Sequence, residues 1–497
     1  MTSRILLALA MLPGCVVGEE LVGSEPPPDS EESPPVTARG IVLEPVNGSA
    51  VLGDPSTLSV RIAGEYAEAD QDLSVQLLAN PDDLTSWLTV GATRSVAQLG
   101  LEGATFAINI RPVASVTEQQ RWPRGGVLRL RVLDSAGRAL PFDRSAPDQS
   151  VIVVANPAEL PANWQYLAER PVGSPAETLE YYATINAPVT LSDFMTRFGF
   201  PGNETTAVYY NAGDLGIGRE MHCRATQNPA GGLACYVRNY GTFGGSRDEA
   251  IALTVAGGAP LATVAMVYTP PITAPNSVSF MVYGPDGAIL TEAQLDTHGD
   301  NTSIPQNCLN CHGGRSRYDD VTNEVIGARF LPFDPSAFAY AQRADLTFVA
   351  QDDKFRRLNR LVAAAAPTTA VRTTIEGMYP LDNRPFDPAF VPAGWSASKA
   401  DQQVYRTVIA PYCRGCHVSF ESPTGGEDSL AFTTAASFKA RAVSVVERLC
   451  GEGPKGMPTA EITTAEFFNS PARAVLLQWL GQPGACAPVT QLSAMQP

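Results

Sequence analysis

Histidine is scarce in this chain, with four among 497 residues. That excludes a histidine-rich metal cluster, and it makes the position of each of the four informative. Basic residues are also in deficit, 35 lysines and arginines against 51 aspartates and glutamates, a formal net charge of −16. Such a balance argues against a nucleic-acid partner and against electrostatic attachment to an anionic membrane surface. Most of these carboxylates are read as solvated faces that maintain solubility. Long apolar runs are missing too: beyond the short run at residues 5–12, no segment approaches the length needed to span a bilayer.

Two of the four histidines directly follow a C-x-x-C spacing, in Cys308-Leu-Asn-Cys311-His312 and Cys413-Arg-Gly-Cys416-His417. C-x-x-C-H is the spacing that attaches a c-type haem. Two thiols about one turn apart can form thioethers with the haem vinyl groups, and the adjacent imidazole then reaches the iron as proximal ligand. Zinc knuckles share the C-x-x-C element, but the two pairs lie much farther apart than ribbon or finger spacing, and zinc gives no reason for the adjoining histidines. A thioredoxin-like redox motif would require a βαβ context, which is missing at both places. The chain therefore resembles the c-type cytochromes at both sites, and the resemblance implies two covalently bound haem c groups.

Residues 1–14 carry Arg4, an apolar run and Pro13-Gly14 ahead of Cys15, the pattern of an export signal. Leu12-Pro13-Gly14-Cys15 resembles the lipobox of bacterial lipoproteins, although Pro13 departs from it. That resemblance implies cleavage before Cys15 and acylation of its thiol. At about 0.8 kcal/mol per buried methylene, several acyl chains would hold the protein on the membrane. With Val16 rather than aspartate following, the likeness points to an outer-membrane lipoprotein facing the periplasm or the cell surface. An oxidising compartment accords with the cysteine count. Of nine cysteines, one is for lipid and four are for haem, leaving Cys223, Cys235, Cys450 and Cys486. Two disulfides are expected from this even remainder, the local pairing Cys223–Cys235 and Cys450–Cys486 being the simplest of three possibilities.

The length predicts several domains. Residues 15–39, with Pro26-Pro27-Pro28 and several glutamates, read as an extended tether. Residues 40–156 alternate with period two, as in Leu58, Val60 and Ile62 or Leu128, Leu130 and Val132, which predicts an all-β sandwich of immunoglobulin-like type. Residues 157–300 predict a second β-rich domain, with strands at 234–237, 262–268 and 278–283, the last leading into the turn Gly284-Pro285-Asp286-Gly287. It contains Met221-His222-Cys223, and the segment resembles exported bacterial proteins in which a histidine–cysteine pair precedes a C-x-x-C-H-G-G site. Residues 301–395 form the first haem region, turning helical where Phe355, Leu358, Leu361, Val362 and Ala365 make one apolar stripe.

Residues 396–497 resemble a class I cytochrome c domain. Tyr405, Val408 and Ile409 share one face of a helix that Pro411 is expected to close, and Val475, Leu476, Trp479 and Leu480 share a face of a second. Lys455-Gly456-Met457-Pro458 resembles the family's axial-methionine loop, which implies Met457 as the sixth ligand of the second haem. For the first haem the candidates are His222, His298 and Met378, or an open position. Three functions follow in order. The first is a lipid-anchored dihaem cytochrome c exchanging electrons with redox proteins that present basic docking surfaces. The second is a dihaem oxidoreductase, peroxidase- or oxygenase-like, with substrate at the first haem. The third is an envelope scaffold or adhesion protein with accessory haems.

Overall fold

Within residues 41–155 the computed structural model describes only the backbone of the strands given below, and from 160 to 486, apart from short loop segments, it describes the residues with their side chains. The expected signal peptide, the acylated Cys15 and the tether lie outside the described residues. In the first region, β1 (Ile41–Glu44), β3 (Ser56–Ile62), β6 (Ala104–Pro112) and β5 (Leu88–Val90) pair in the order β1-β3-β6-β5. A second sheet pairs β2 (Ser49–Val51), β8 (Val151–Ala155), β7 (Gly126–Leu133) and β4 (Ser74–Asn80) in the order β2-β8-β7-β4. Among the described strands of these two sheets, β2 and β8 pair parallel and the others antiparallel. The immunoglobulin-like packing expected of these strands depends on side chains outside the described set.

The β-rich region is a large antiparallel sheet, preceded by two helices, Pro175–Thr184 and Leu191–Phe198. Both helices have hydroxyl N-caps, Ser174 and Thr190, that accept from backbone N–H groups three residues on. The sheet's central strands are β9 (Thr205–Asn211), β10 (Ile217–Gln227), β11 (Ala230–Tyr240), β12 (Ala262–Tyr268) and β13 (Val278–Tyr283), hydrogen-bonded in sequence order. The last two coincide with the expected strands. The turn after β13 is present, with Gly287 donating to the Gly284 carbonyl at 2.9 Å and taking a φ of +80°, a conformation open to glycine.

Alternation along these strands gives the sheet two faces with different coverings. Phe194 packs on Tyr236 and Tyr283 on one face. The helix Arg247–Ala256 covers the same face at Gly218, where a Cβ would overlap Thr254 Oγ1 and the Ala250 carbonyl. The opposite face is covered from the first motif onward. There the helix Phe348–Ala364 presents Phe355, Leu358 and Val362, each fully buried, and Phe355 lies 5.6 Å from the ring of Tyr209 on β9. These residues form the expected apolar stripe, and they join the sheet in one continuous core.

A second core belongs to the C-terminal helices. Trp395 is wholly buried and stacks on Trp479 at 5.4 Å between ring centres. The helix Lys399–Val404 and the helix Ala472–Trp479 share this core, and Trp479 Nε1 donates to Asp401 Oδ1 at 2.8 Å. Pro411 does not end the first of these helices, contrary to expectation. Residues Tyr405–Ile409 widen into a π-turn in which Ala410 N donates to the Tyr405 carbonyl, and Ala410–Tyr412 continues the helix. Lengthening the turn by one residue accommodates the ring, which lacks an N–H to donate. The β-rich middle and the helical C-terminal region are thus both present.

Candidate functional site

Both C-x-x-C-H motifs form single helical turns that bring their cysteines onto one side. At the first, Cys308–Asn310 is a 3₁₀ turn, and Cys311 N and His312 N each donate to the Cys308 carbonyl at 3.2 Å. At the second, Arg414–His417 is one turn of helix, and His417 N donates to the Cys413 carbonyl at 3.0 Å. None of the four cysteines is disulfide-bonded. Desolvation, with Cys311 adding to it, pushes the Cys308 thiol up to about 12, and desolvation alone does the same for Cys413.

Both imidazoles are fixed in the same way. His312 Nδ1 sits 3.1 Å from the Arg329 carbonyl, and His417 Nδ1 sits 2.9 Å from the Leu430 carbonyl. A carbonyl accepts only from N–H, so each ring carries its proton on Nδ1 and Nε2 is the nitrogen able to bind a metal. Burial, partly offset by the Leu430 carbonyl, holds His417 below its ordinary pKa. Phe432 stacks on the His417 ring at 4.5 Å, and Phe280 lies 5.4 Å from the ring of His312. A second-sphere carbonyl that fixes the tautomer, beside an apolar aromatic wall, fits the proximal side of a haem.

The fold also brings the two motifs together. Cys311 Sγ and Cys416 Sγ are 3.7 Å apart, and Ser419 Oγ donates to the Cys311 carbonyl at 2.7 Å. Arg414, between the cysteines of the second motif, is buried against the first region. Its Nη2 lies 2.6 Å and its Nε 2.7 Å from Asp334 Oδ2, and Nη2 donates to Ser336 Oγ at 2.9 Å. A cavity of about 230 Å³ opens between the motifs and the sheet, lined by Cys308, Cys311, His312, Cys416 and Asp334 and by residues of β10 to β13.

The remaining candidates are placed less simply. Met221 and Cys235 line this cavity, but His222, one residue on from Met221, points to the other face of β10. There its ring stacks on Tyr236 at 4.4 Å, with Nε2 2.9 Å from Glu220 Oε1 and Nδ1 3.3 Å from Glu204 Oε1. His222 is therefore not brought to the first motif. The strand period, which spacing from a disulfide does not reveal, decides the matter. His298 is exposed beside Tyr166, and Met378 is fully buried in the main core at the end of the helix Thr369–Met378. Met457 is 48% exposed, on a loop whose Lys455 exchanges backbone hydrogen bonds with Asn163 and Gln165. The four remaining cysteines pair locally, Cys223 with Cys235 and Cys450 with Cys486. Sequence reasoning did not single out Asp334, or Met221 and Met266 on the cavity wall, because nothing local to them signals a site.

A scan against protein-family models finds no match, and a search of curated proteins finds none either.

Proposed function

We propose that this chain is a dihaem c-type cytochrome that passes electrons between two adjacent haems and protein partners of the bacterial envelope. One observation carries the reading: two C-x-x-C-H motifs, distant in sequence, meet with their inner cysteine sulfurs 3.7 Å apart. Haem bound through these motifs would supply reversible one-electron exchange at iron.

The chain's own residues have three tasks in this reading. His312 and His417 present Nε2 to the metal while the Arg329 and Leu430 carbonyls hold Nδ1–H. Apolar groups around both rings exclude water, which limits solvent reorganisation when charge moves. Ser419 and the buried Arg414–Asp334 pair lock the two motifs together, so the separation of the two sites is fixed by packing rather than by a loop. Met457 is the proposed sixth ligand of the second site. Its support is the Gly-Met-Pro context, a loop pinned at Lys455, and a side chain that the core does not use. Attachment through an acylated Cys15 and docking of basic redox partners on the acidic surface belong to the same reading.

Protein produced in a host with cytochrome c maturation should retain two haems after denaturation, read by mass spectrometry. In a potentiometric titration it should show two one-electron waves. Protein with no covalent haem would sink the proposal. The dihaem oxidoreductase stands as a second reading, because the cavity wall facing the first motif brings no histidine among its described residues. Carbon monoxide binding to the reduced first haem would favour it, and six-coordination at both irons would exclude it.

A further inference from the structure

Segments far apart in the chain meet around the Met457 loop. The loop leaves the helix Ala442–Cys450 at Gly451 and enters the helix Glu461–Phe468. The Cys450–Cys486 disulfide anchors its upstream end, and Ala460 N donates to the Met457 carbonyl at 3.1 Å near its downstream end. Between these anchors, residues 163–165 run beside the loop as a strap. Lys455 N donates to the Asn163 carbonyl at 2.9 Å and Gln165 N to the Lys455 carbonyl at 2.7 Å, so that Trp164 and Lys455 form a parallel bridge. The Asn163 side chain adds a second tie. Its Nδ2 donates to the Glu452 carbonyl at 2.9 Å and also to the Gly453 carbonyl.

The strap is itself held in place. Leu167 is 3% exposed, and its N–H donates to Asp296 Oδ2 at 2.9 Å. Asp296 Oδ1 accepts from His298 N at 3.1 Å, and the Tyr166 ring lies 5.0 Å from that of His298. Thr297 N in turn donates to Glu461 Oε2 at 2.9 Å, at the start of the helix that follows the loop. Strap, 296–298 segment, helix and loop thus close a ring of contacts. Gly451, Gly453 and Gly456 would otherwise leave the loop many conformations to lose.

A thioether is a weak, neutral ligand, so its hold on iron depends on how much freedom its loop gives up on binding. A loop already immobilised gives up little. We infer that residues 163–167, chiefly through Asn163, are a positioning strap for the sixth ligand of the second haem. The inference rests on the dihaem reading above and on Met457 as that ligand. Asn163 is a positioning residue here, acting through the backbone of the loop.

The test uses protein carrying both haems, with imidazole as a probe that competes with the thioether for ferric iron. Met457→Ala is the reference: it should abolish the charge-transfer band of thioether-ligated ferric haem and tighten imidazole binding at one haem. Asn163→Ala should move the same haem in the same direction. Imidazole should bind there roughly five- to thirtyfold more tightly, the weight of one or two hydrogen bonds, and that haem's midpoint should fall. Asn163→Asp, equal in size but without a donor, should match the alanine variant. Haem count and the other haem's potential should stay as in the parent. Imidazole affinity unchanged or weakened in both Asn163 variants would overturn the inference while Met457 keeps its role. Finding no covalent haem would remove the dihaem reading, and an unmoved Met457→Ala would remove the ligand assignment; either takes the strap's role with it.

Discussion

Replacing Arg414 with methionine should be among the most damaging single substitutions in this protein, although Arg414 would be neither a haem attachment point nor an iron ligand. Its side chain and that of Asp334 are each 5% exposed, and they meet at 2.6 Å. Burial lowers the arginine pKa, but Asp334 and Tyr405 outweigh it and hold the guanidinium above its ordinary value. Nη1 donates to the Tyr405 hydroxyl at 3.2 Å, so one cation ties the second motif, the π-turn and the 334–336 turn together. Methionine fills much of the volume but leaves the Asp334 carboxylate buried and uncompensated, at a cost of about 3–5 kcal/mol. Urea unfolding followed by the fluorescence of buried Trp395 should show that loss as a fall in midpoint with little change in slope. Asp334→Leu combined with Arg414→Met should recover much of it, because the pair then leaves no lone charge. A single variant within about 0.5 kcal/mol of the parent, as for an ordinary surface site, would refute the argument. So would a double variant no better than the single.

Other expectations can be checked separately. Met457→Ala should open the second iron to carbon monoxide and lower its potential, and an unchanged spectrum would remove Met457 as ligand. His222→Ala should leave both haem spectra unaltered, because the ring lies on the far face of β10; a newly open iron in that variant would contradict the placement. Glu220 is held down at about 2, chiefly by its hydrogen bond from His222 and further by Tyr240 and Arg238. A depressed carboxylate adds stability that is present above its ordinary pKa of about 4.5 and is lost as pH falls through the folded value. Acid titration should therefore lose roughly 2–3 kcal/mol between pH 5 and 2. Glu220→Gln should flatten that slope, and an identical acid limb would show that other groups carry it. Replacing Cys413 and Cys416 together should remove one haem and destabilise the 395–480 core selectively, measured by mass and by loss of Trp395 burial.

The sequence by itself determined the local features. Strands 262–268 and 278–283, the turn at 284–287 and the stripe from Phe355 to Val362 were all legible, because period and turn chemistry act over a few residues. The two C-x-x-C-H motifs were legible for the same reason, since attachment needs thiols and an imidazole within one turn. Local disulfide pairing was the simplest choice and is the one present. What only the tertiary structure decided is everything that depends on faces and long-range contact. Whether His222 points into the cavity is set by strand parity, and Met221 and Cys235 took that face instead. Pro411 reads locally as a helix end, and the sequence carries no sign of the π-turn that absorbs it. The meeting of Cys311 with Cys416, and of Arg414 with Asp334, joins residues far apart in the chain. No short-range pattern encodes such pairs, because they form only when one folded core packs its buried charge and its motif against another.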